Sequence, residues 1–295
     1  MTNNVSSYHF LLKFADVKML QMITDDERIS LIQKVIATGQ SDNSWNAVLE
    51  LFAAWPNNIN KTAAFKMAES LMQNWKDEER IINSSWKLLY EKNELSSIAL
   101  LARSLHVNRR EANGRKELMA IVTSLNAYNI KQLQIDRSDI GADGMYELAR
   151  SNKLQNLTSL SFNGISFIQN TFETIINPSE LKALKKLSLK NCAVYGNKLQ
   201  MLMSSGIILP LQILELPHNT MADKDAFEIA SSTAVTNIEL LDLSNNFIND
   251  AGAIALSTSS NLKNLKTLIL TGNKIIKASS ILDNVEKNKQ LKIII

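Results

Sequence analysis

The chain has 295 residues with one Cys, four Pro and nine Gly, and it is 45% apolar and 21% charged. That is ordinary globular composition, and it excludes collagen-like, disulfide-stapled and broadly disordered chains. Lys and Arg number 32 against 29 Asp and Glu, and a net charge of +3 spread over both halves is no footprint for nucleic acid.

The N-terminal stretch has no basic region followed by an apolar run long enough for a secretory signal. No run of 18 apolar residues is present to span a membrane. One cysteine, Cys192, excludes an intramolecular disulfide and a cysteine-based zinc site, which fits a reducing compartment. A cytoplasmic location is expected, and delivery into a host cytoplasm by a route without a signal peptide is compatible with it.

Residues 1–126 read as helical. Thr24 and Glu27 have the spacing of a capping box that opens a helix over 25–38. Trp45, Val48, Leu49, Phe52 and Trp55 recur at helical spacing, as do Ala64, Ala68, Leu71, Met72 and Trp75. Leu95, Ile98, Leu101 and Leu105 continue the pattern, followed by Leu118, Ile121, Val122 and Leu125. Phe14, Phe52 and Tyr90 are evenly spaced, a hint of stacked helical hairpins that few other positions share. The four Trp (45, 55, 75 and 86) read as core, with an exposed partner groove as the alternative. Arg103, Arg109, Arg110, Arg115 and Lys116, interrupted by Glu111 and Glu117, read as a solvated face.

From Ile130 onward a repeat takes over. Six segments begin at Ile130, Leu157, Leu184, Leu211, Ile238 and Leu265, at a constant period of 27, and a seventh begins at Leu291 after 26. In L-x-x-L-x-L-x-x-N/C-x-L, all 24 apolar sites of the six segments are apolar, where chance gives about 11. The polar ninth site holds Cys192, Asn219, Asn246 and Asn273, and Ser138 and Ile165 depart from it. The L-x-L core reads as a short strand with leucines on one face. The Asn can bond backbone groups where the chain turns away. An apolar helical stripe follows in the early repeats: Met145, Leu148 and Ala149, then Phe172, Ile175 and Ile176, then Leu199, Leu202 and Met203.

This pattern resembles the leucine-rich repeat family, and the 27-residue unit with a full helix looks like its ribonuclease-inhibitor-like subtype. The expected fold is α+β: a helical N-terminal domain over 1–126 that also caps the solenoid, then a repeat domain over 127–295 with a parallel concave sheet and convex helices. The resemblance implies a non-enzymatic module that binds a protein partner through its concave face. A bacterial effector or regulator acting in a cytoplasm is compatible with the composition.

On that face the third, fifth and seventh residues of each repeat point outward, with the eighth at the rim. Ile213, Leu240, Ile269 and Ile293 are apolar where solvent is expected, and Lys186, Lys190, Glu215, His218 and Asp242 adjoin them. An apolar patch with a charged rim points to a protein interface. Scattered surface aliphatics are the bland alternative.

No catalytic constellation is present. His9, His106 and His218 have no metal-ligand spacing, and no phosphate-binding glycine loop or nucleophile elbow occurs. Asp25–Asp26 and Glu78–Glu79 read as helix-start acids. No cofactor, metal, nucleic acid or membrane is therefore expected. The chain stopping inside the strand Lys292–Ile295 leaves self-association through that edge open. The alternative function is an enzyme with an unrecognised site among the N-terminal helices.

Overall fold

The computed structural model describes residues 22–55, 59–77, 80–83, 101–108, 129–137, 141–167, 169–176, 181–277 and 291–295. Three helices come first: α1 (Asp25–Ala37), α2 (Asp42–Ala53) and α3 (Ile59–Leu71). α1 opens on the capping box. The Glu27 amide donates to Thr24 Oγ1 at 3.2 Å, and the Thr24 amide donates to Glu27 Oε2 at 2.8 Å. The apolar faces of α2 and α3 close around Phe52, which stacks on Phe65 with ring centroids 4.1 Å apart. Trp45 and Trp55 are buried there and Trp75 packs at the edge, while Trp86, Phe14 and Tyr90 lie outside the described residues.

Two buried cations complete the C-terminal end of α2. Arg28 Nη1 donates to the Leu51 carbonyl at 3.2 Å, and Lys61 Nζ donates to the Trp55 carbonyl at 3.0 Å. Positive charge is favourable at a helix end where carbonyls lack intrahelical partners.

The sheet has nine strands, all parallel and in chain order. They are β1 (Ile81–Asn83), β2 (Ser104–Asn108), β3 (Gln132–Asp136), β4 (Ser159–Asn163) and β5 (Lys186–Lys190). The rest are β6 (Ile213–Glu215), β7 (Leu240–Asp242), β8 (Thr267–Ile269) and β9 (Lys292–Ile294). From β3 to β8 the register keeps the period of the sequence repeat, as in Leu187↔Leu214 and Leu214↔Leu241. Helices α4 (Gly141–Arg150), α5 (Gln169–Ile176), α6 (Asn197–Met203), α7 (Asp223–Ser231) and α8 (Asp250–Ser257) return the chain between strands. Their apolar stripes, such as Leu148, Phe172 and Leu202, meet the strand leucines in one continuous core.

The sheet starts earlier than the repeat pattern. β1 and β2 fall inside the segment read as wholly helical, and Leu105 is a buried strand residue, not part of a helical stripe. The cause is spacing: Ile81 pairs with Ser104 and Ser104 with Gln132, and neither step matches the later period. Leu95, Ile98, the basic positions from Arg109 to Lys116 and the 118–125 stripe lie outside the described residues, as do His9, Glu78 and Glu79.

The last strand is also shifted. Leu268 pairs with Ile293 and Ile269 with Ile294, whereas counting from Leu265 to Leu291 would pair Leu268 with Ile294. Side chains alternate along a strand, so this single-position slip exchanges the two faces. Ile293 packs against the core, and the concave position belongs to Ile294.

The helices and the sheet are joined by named polar contacts. Trp45 Nε1 of α2 donates to the Ile81 carbonyl of β1 at 2.7 Å. Glu69 of α3 pairs with both Arg80 and Arg103, and Asp77 pairs with Lys131 at 2.9 Å. Arg80, Arg103 and Lys131 each immediately precede a strand, so one basic row along β1–β3 meets acids from the helical side.

Candidate partner-binding surface

The strand residues that alternate with the core leucines form two rows on the exposed sheet face. On β5 to β8 the third-position row runs Lys186, Ile213, Leu240, Thr267. The fifth-position row runs Ser188, Glu215, Asp242, Ile269. Between them Leu214, Leu241 and Leu268 point into the core with no exposed surface. Ile213, Leu240 and Ile269 are half-buried.

Of the residues singled out in the sequence, Lys186, Ile213, Glu215, Leu240, Asp242 and Ile269 share one patch. Lys186 Nζ pairs with Glu215 Oε1 at 2.6 Å across β5 and β6. Asp242 Oδ1 accepts the Ser244 amide at 2.8 Å. Lys190 lies at the exposed end of β5, and His218 lies past β6 in the turn. Ile294 extends the patch beside Ile269, and only the shortened final step would have revealed it. His106 is on the same face of β2, in register with Gln134. Burial pushes its imidazole pKa down, and nearby Asp136 opposes that shift.

The turn after each strand is built by two devices. The first is backbone conformation. The eighth residue of each of the six repeats has positive φ: Arg137 at 44°, Gly164 at 66°, Asn191 at 53°, His218 at 56°, Asn245 at 55° and Gly272 at 75°. Gly and Asn take this left-handed conformation readily. Arg137 and His218 adopt it without that advantage. Thr220, two positions beyond His218, is also left-handed at 59°.

The second device is a ladder of side chains at the ninth position. Asn219 Oδ1 accepts the Cys192 and Val194 amides, both at 3.0 Å, and Asn219 Nδ2 donates to the Leu189 carbonyl at 2.7 Å. Asn246 repeats this one unit later on Asn219, Met221 and Leu216. Asn273 Oδ1 accepts the Ile248 amide, and its Nδ2 donates to the Leu243 carbonyl. Cys192 supplies the donor half: its thiol donates to the Phe162 carbonyl at 3.5 Å and the Lys190 carbonyl at 3.2 Å. Burial pushes this thiol pKa up to about 11, against hydrogen bonds from Ile165 and Gly164. Such a thiol is inert at neutral pH.

The helix starts carry a parallel device. Asp225 Oδ1 accepts the Gly196 amide at 2.8 Å, Asp223 Oδ1 accepts the Asn249 and Gly252 amides, and Asp250 Oδ1 accepts the Ile276 and Lys277 amides. Those bonds hold the exposed Asp250 carboxyl below its ordinary range.

Residues 236–257, which span β7 and the whole of α8, match the family described as Leucine Rich repeat. That segment is a leucine-rich repeat. The matched segment contains Asn246, the middle rung of the ladder. Among curated protein sequences none matches the chain. Among solved structures, an internalin from Listeria monocytogenes is 14% identical with a TM-score of 0.37, covering 69% of each chain. A Bacteroides fragilis protein is 13% identical with a TM-score of 0.34, covering 81% of this chain and 84% of its own. Neither likeness bears on function. Among the described residues no group of three or more His, Cys, Asp or Glu could hold a metal ion. No helix among them is long and apolar enough to cross a membrane.

Proposed function

We propose that the protein is a non-enzymatic interaction module that holds a protein partner on the exposed face of the sheet between β5 and β8. The observation that carries this reading is the placement of Ile213, Leu240 and Ile269 together on the solvent side of strands whose opposite side is already filled with leucine. A fold with a full core does not need these aliphatics, whereas an interface does. The Lys186–Glu215 ion pair supplies a polar rim. Leucine-rich repeats serve protein recognition in many contexts, which agrees with this reading, although fold by itself does not establish function. The same reading puts the action in a cytoplasm, where a bacterial effector or regulator would meet its partner. Cys192, buried as a free thiol in the ladder, suits a reducing compartment.

The N-terminal helices act in this reading as the cap of the solenoid. A solenoid end left uncovered exposes its core. Trp45 and Glu69 bind the first strand and the residue preceding it, which is where a cap must act.

Crosslinking and capture from a cytoplasmic extract tests the module, comparing the wild-type chain with Ile213→Asp/Leu240→Asp after circular dichroism has shown both folded. A partner held by the wild type and lost by the double variant is the expected result. A partner retained by both moves the interface off this face.

A further inference from the structure

Two carboxylates stand side by side on the fifth-position row, because Glu215 and Asp242 are register partners on β6 and β7. Like charges directly opposite one another on neighbouring strands repel. Lys186 relieves Glu215. Among the described residues no cation pairs with Asp242, whose Oδ1 takes one amide hydrogen bond from Ser244. Beyond Glu215, aliphatic side chains adjoin Asp242: Leu240 precedes it on the same face, Ile269 is its register partner on β8, and Ile213 lies opposite Leu240 on β6. A charge framed by aliphatic side chains is screened less than one in open water, so an arriving cation gains more there.

We propose that this patch docks a linear protein segment in which an Arg stands beside aliphatic or aromatic side chains. The guanidinium lies on Asp242 and reaches toward Glu215, while the apolar neighbours cover Ile213, Leu240 and Ile269. Neighbouring strands lie about 4.8 Å apart, a span that a planar five-donor fork can serve better than a single ammonium. Patch size favours a short segment over a second copy of the chain. Three strand spacings by one two-residue step is about 14 by 7 Å, far below the roughly 800 Å² per partner of a stable globular interface. This inference rests on the proposed docking at the sheet face.

Selection of random twelve-residue peptides displayed on phage against the full chain, with affinities of synthetic winners read by fluorescence anisotropy, tests it. The expected winners carry Arg next to Leu, Ile, Phe or Trp. They lose about tenfold in affinity on Asp242→Asn. They also lose binding on Leu240→Asp, with Leu240→Ser as the milder variant should the first not fold. Winners without a basic residue that still need Leu240 overturn the charge assignment and leave the docking face standing. Winners indifferent to Leu240 and Ile213 overturn both. An empty selection overturns the linear-segment occupant. Concentration-dependent dimerisation of the free chain that is abolished by Leu240→Asp assigns the face to a second copy and overturns the inference.

Discussion

The Asn246 side-chain oxygen accepts the main-chain amide of Asn219, one repeat earlier, at 2.9 Å. The same oxygen takes the Met221 amide, and Asn246 Nδ2 serves the Leu216 and Leu243 carbonyls. All of this is buried. Replacing Asn246 with Ala leaves two amides and the Leu216 carbonyl without partners, while the Leu243 carbonyl keeps its bond from Asn273, and each buried orphan costs about 1–3 kcal/mol. Asn246→Ala is therefore expected to lower unfolding free energy by about 3 kcal/mol or more in a denaturant titration. Asn273→Ala, at the half-buried end of the ladder, is expected to cost less.

Cys192 is expected to resist alkylation in the native protein. With its pKa raised from 9.0 to about 11, the folded chain retains a proton there that the unfolded chain has lost. Stability from this group is present below pH 9 and falls as the pH rises toward 11. Iodoacetamide labelling at mildly alkaline pH should be slow until guanidinium unfolds the chain, and Cys192→Ser should flatten the alkaline loss of stability.

Gly252 sits where α8 meets α7. A β-carbon there would lie 2.6 Å from Asp223 Oδ1, 2.8 Å from Ile248 Cγ2 and 2.9 Å from Ala226 Cβ. The Gly252 amide also donates to that same Asp223 oxygen at 3.1 Å. Gly252→Ala is expected to destabilise by about 1–3 kcal/mol despite the better helix propensity of Ala. An unchanged denaturation midpoint would refute the close approach.

His106 carries an acid sensitivity. Its folded pKa is depressed by burial, so the unfolded chain binds a proton first as the pH falls. Stability from this group is complete above about pH 6.5 and declines below it. Asp136 faces it from β3 and moderates the shift. Thermal melts from neutral to mildly acidic pH should show that decline in the wild type, with a smaller slope in His106→Gln.

Thr220 is strained. A β-branched residue at φ 59° is a backbone outlier, and left-handed conformation costs an L-residue about 1–2 kcal/mol. Its side chain is exposed. Thr220→Gly is expected to raise stability by up to about 1 kcal/mol once the greater freedom of unfolded glycine is counted; a lower denaturation midpoint would show that the strain is relieved elsewhere.

Much of the solenoid was legible because each Leu-x-x-Leu-x-Leu segment fixes both the strand and its facing, and the constant period fixes the register from Leu133 through Leu268. What escaped detection lay where the period changed. Leu101 and Leu105 satisfied helical spacing equally well, and only pairing of Leu105 with Leu133 decides for a strand. At the other end, taking Leu291 as a repeat start put Ile293 on the wrong face by a single position. The Lys186–Glu215 contact joins side chains from successive repeats, and nothing local announces it. Asn191 and Asn245 hinted at the left-handed eighth position, but Arg137 and His218 at the same site masked it.

The ladder gives the solenoid a direction. Every rung reaches back: Asn273 serves Ile248, Asn246 serves Asn219 and Met221, and Asn219 serves Cys192 and Val194. Each turn is thus completed by the repeat that follows it, and loss of a repeat strips bonds from its predecessor. Unzipping from the C-terminal end should propagate, each departure leaving main-chain amides of the next unit in line without acceptors, whereas loss from the opposite end takes partners only from an Asn side chain, whose Nδ2 keeps a carbonyl of its own repeat.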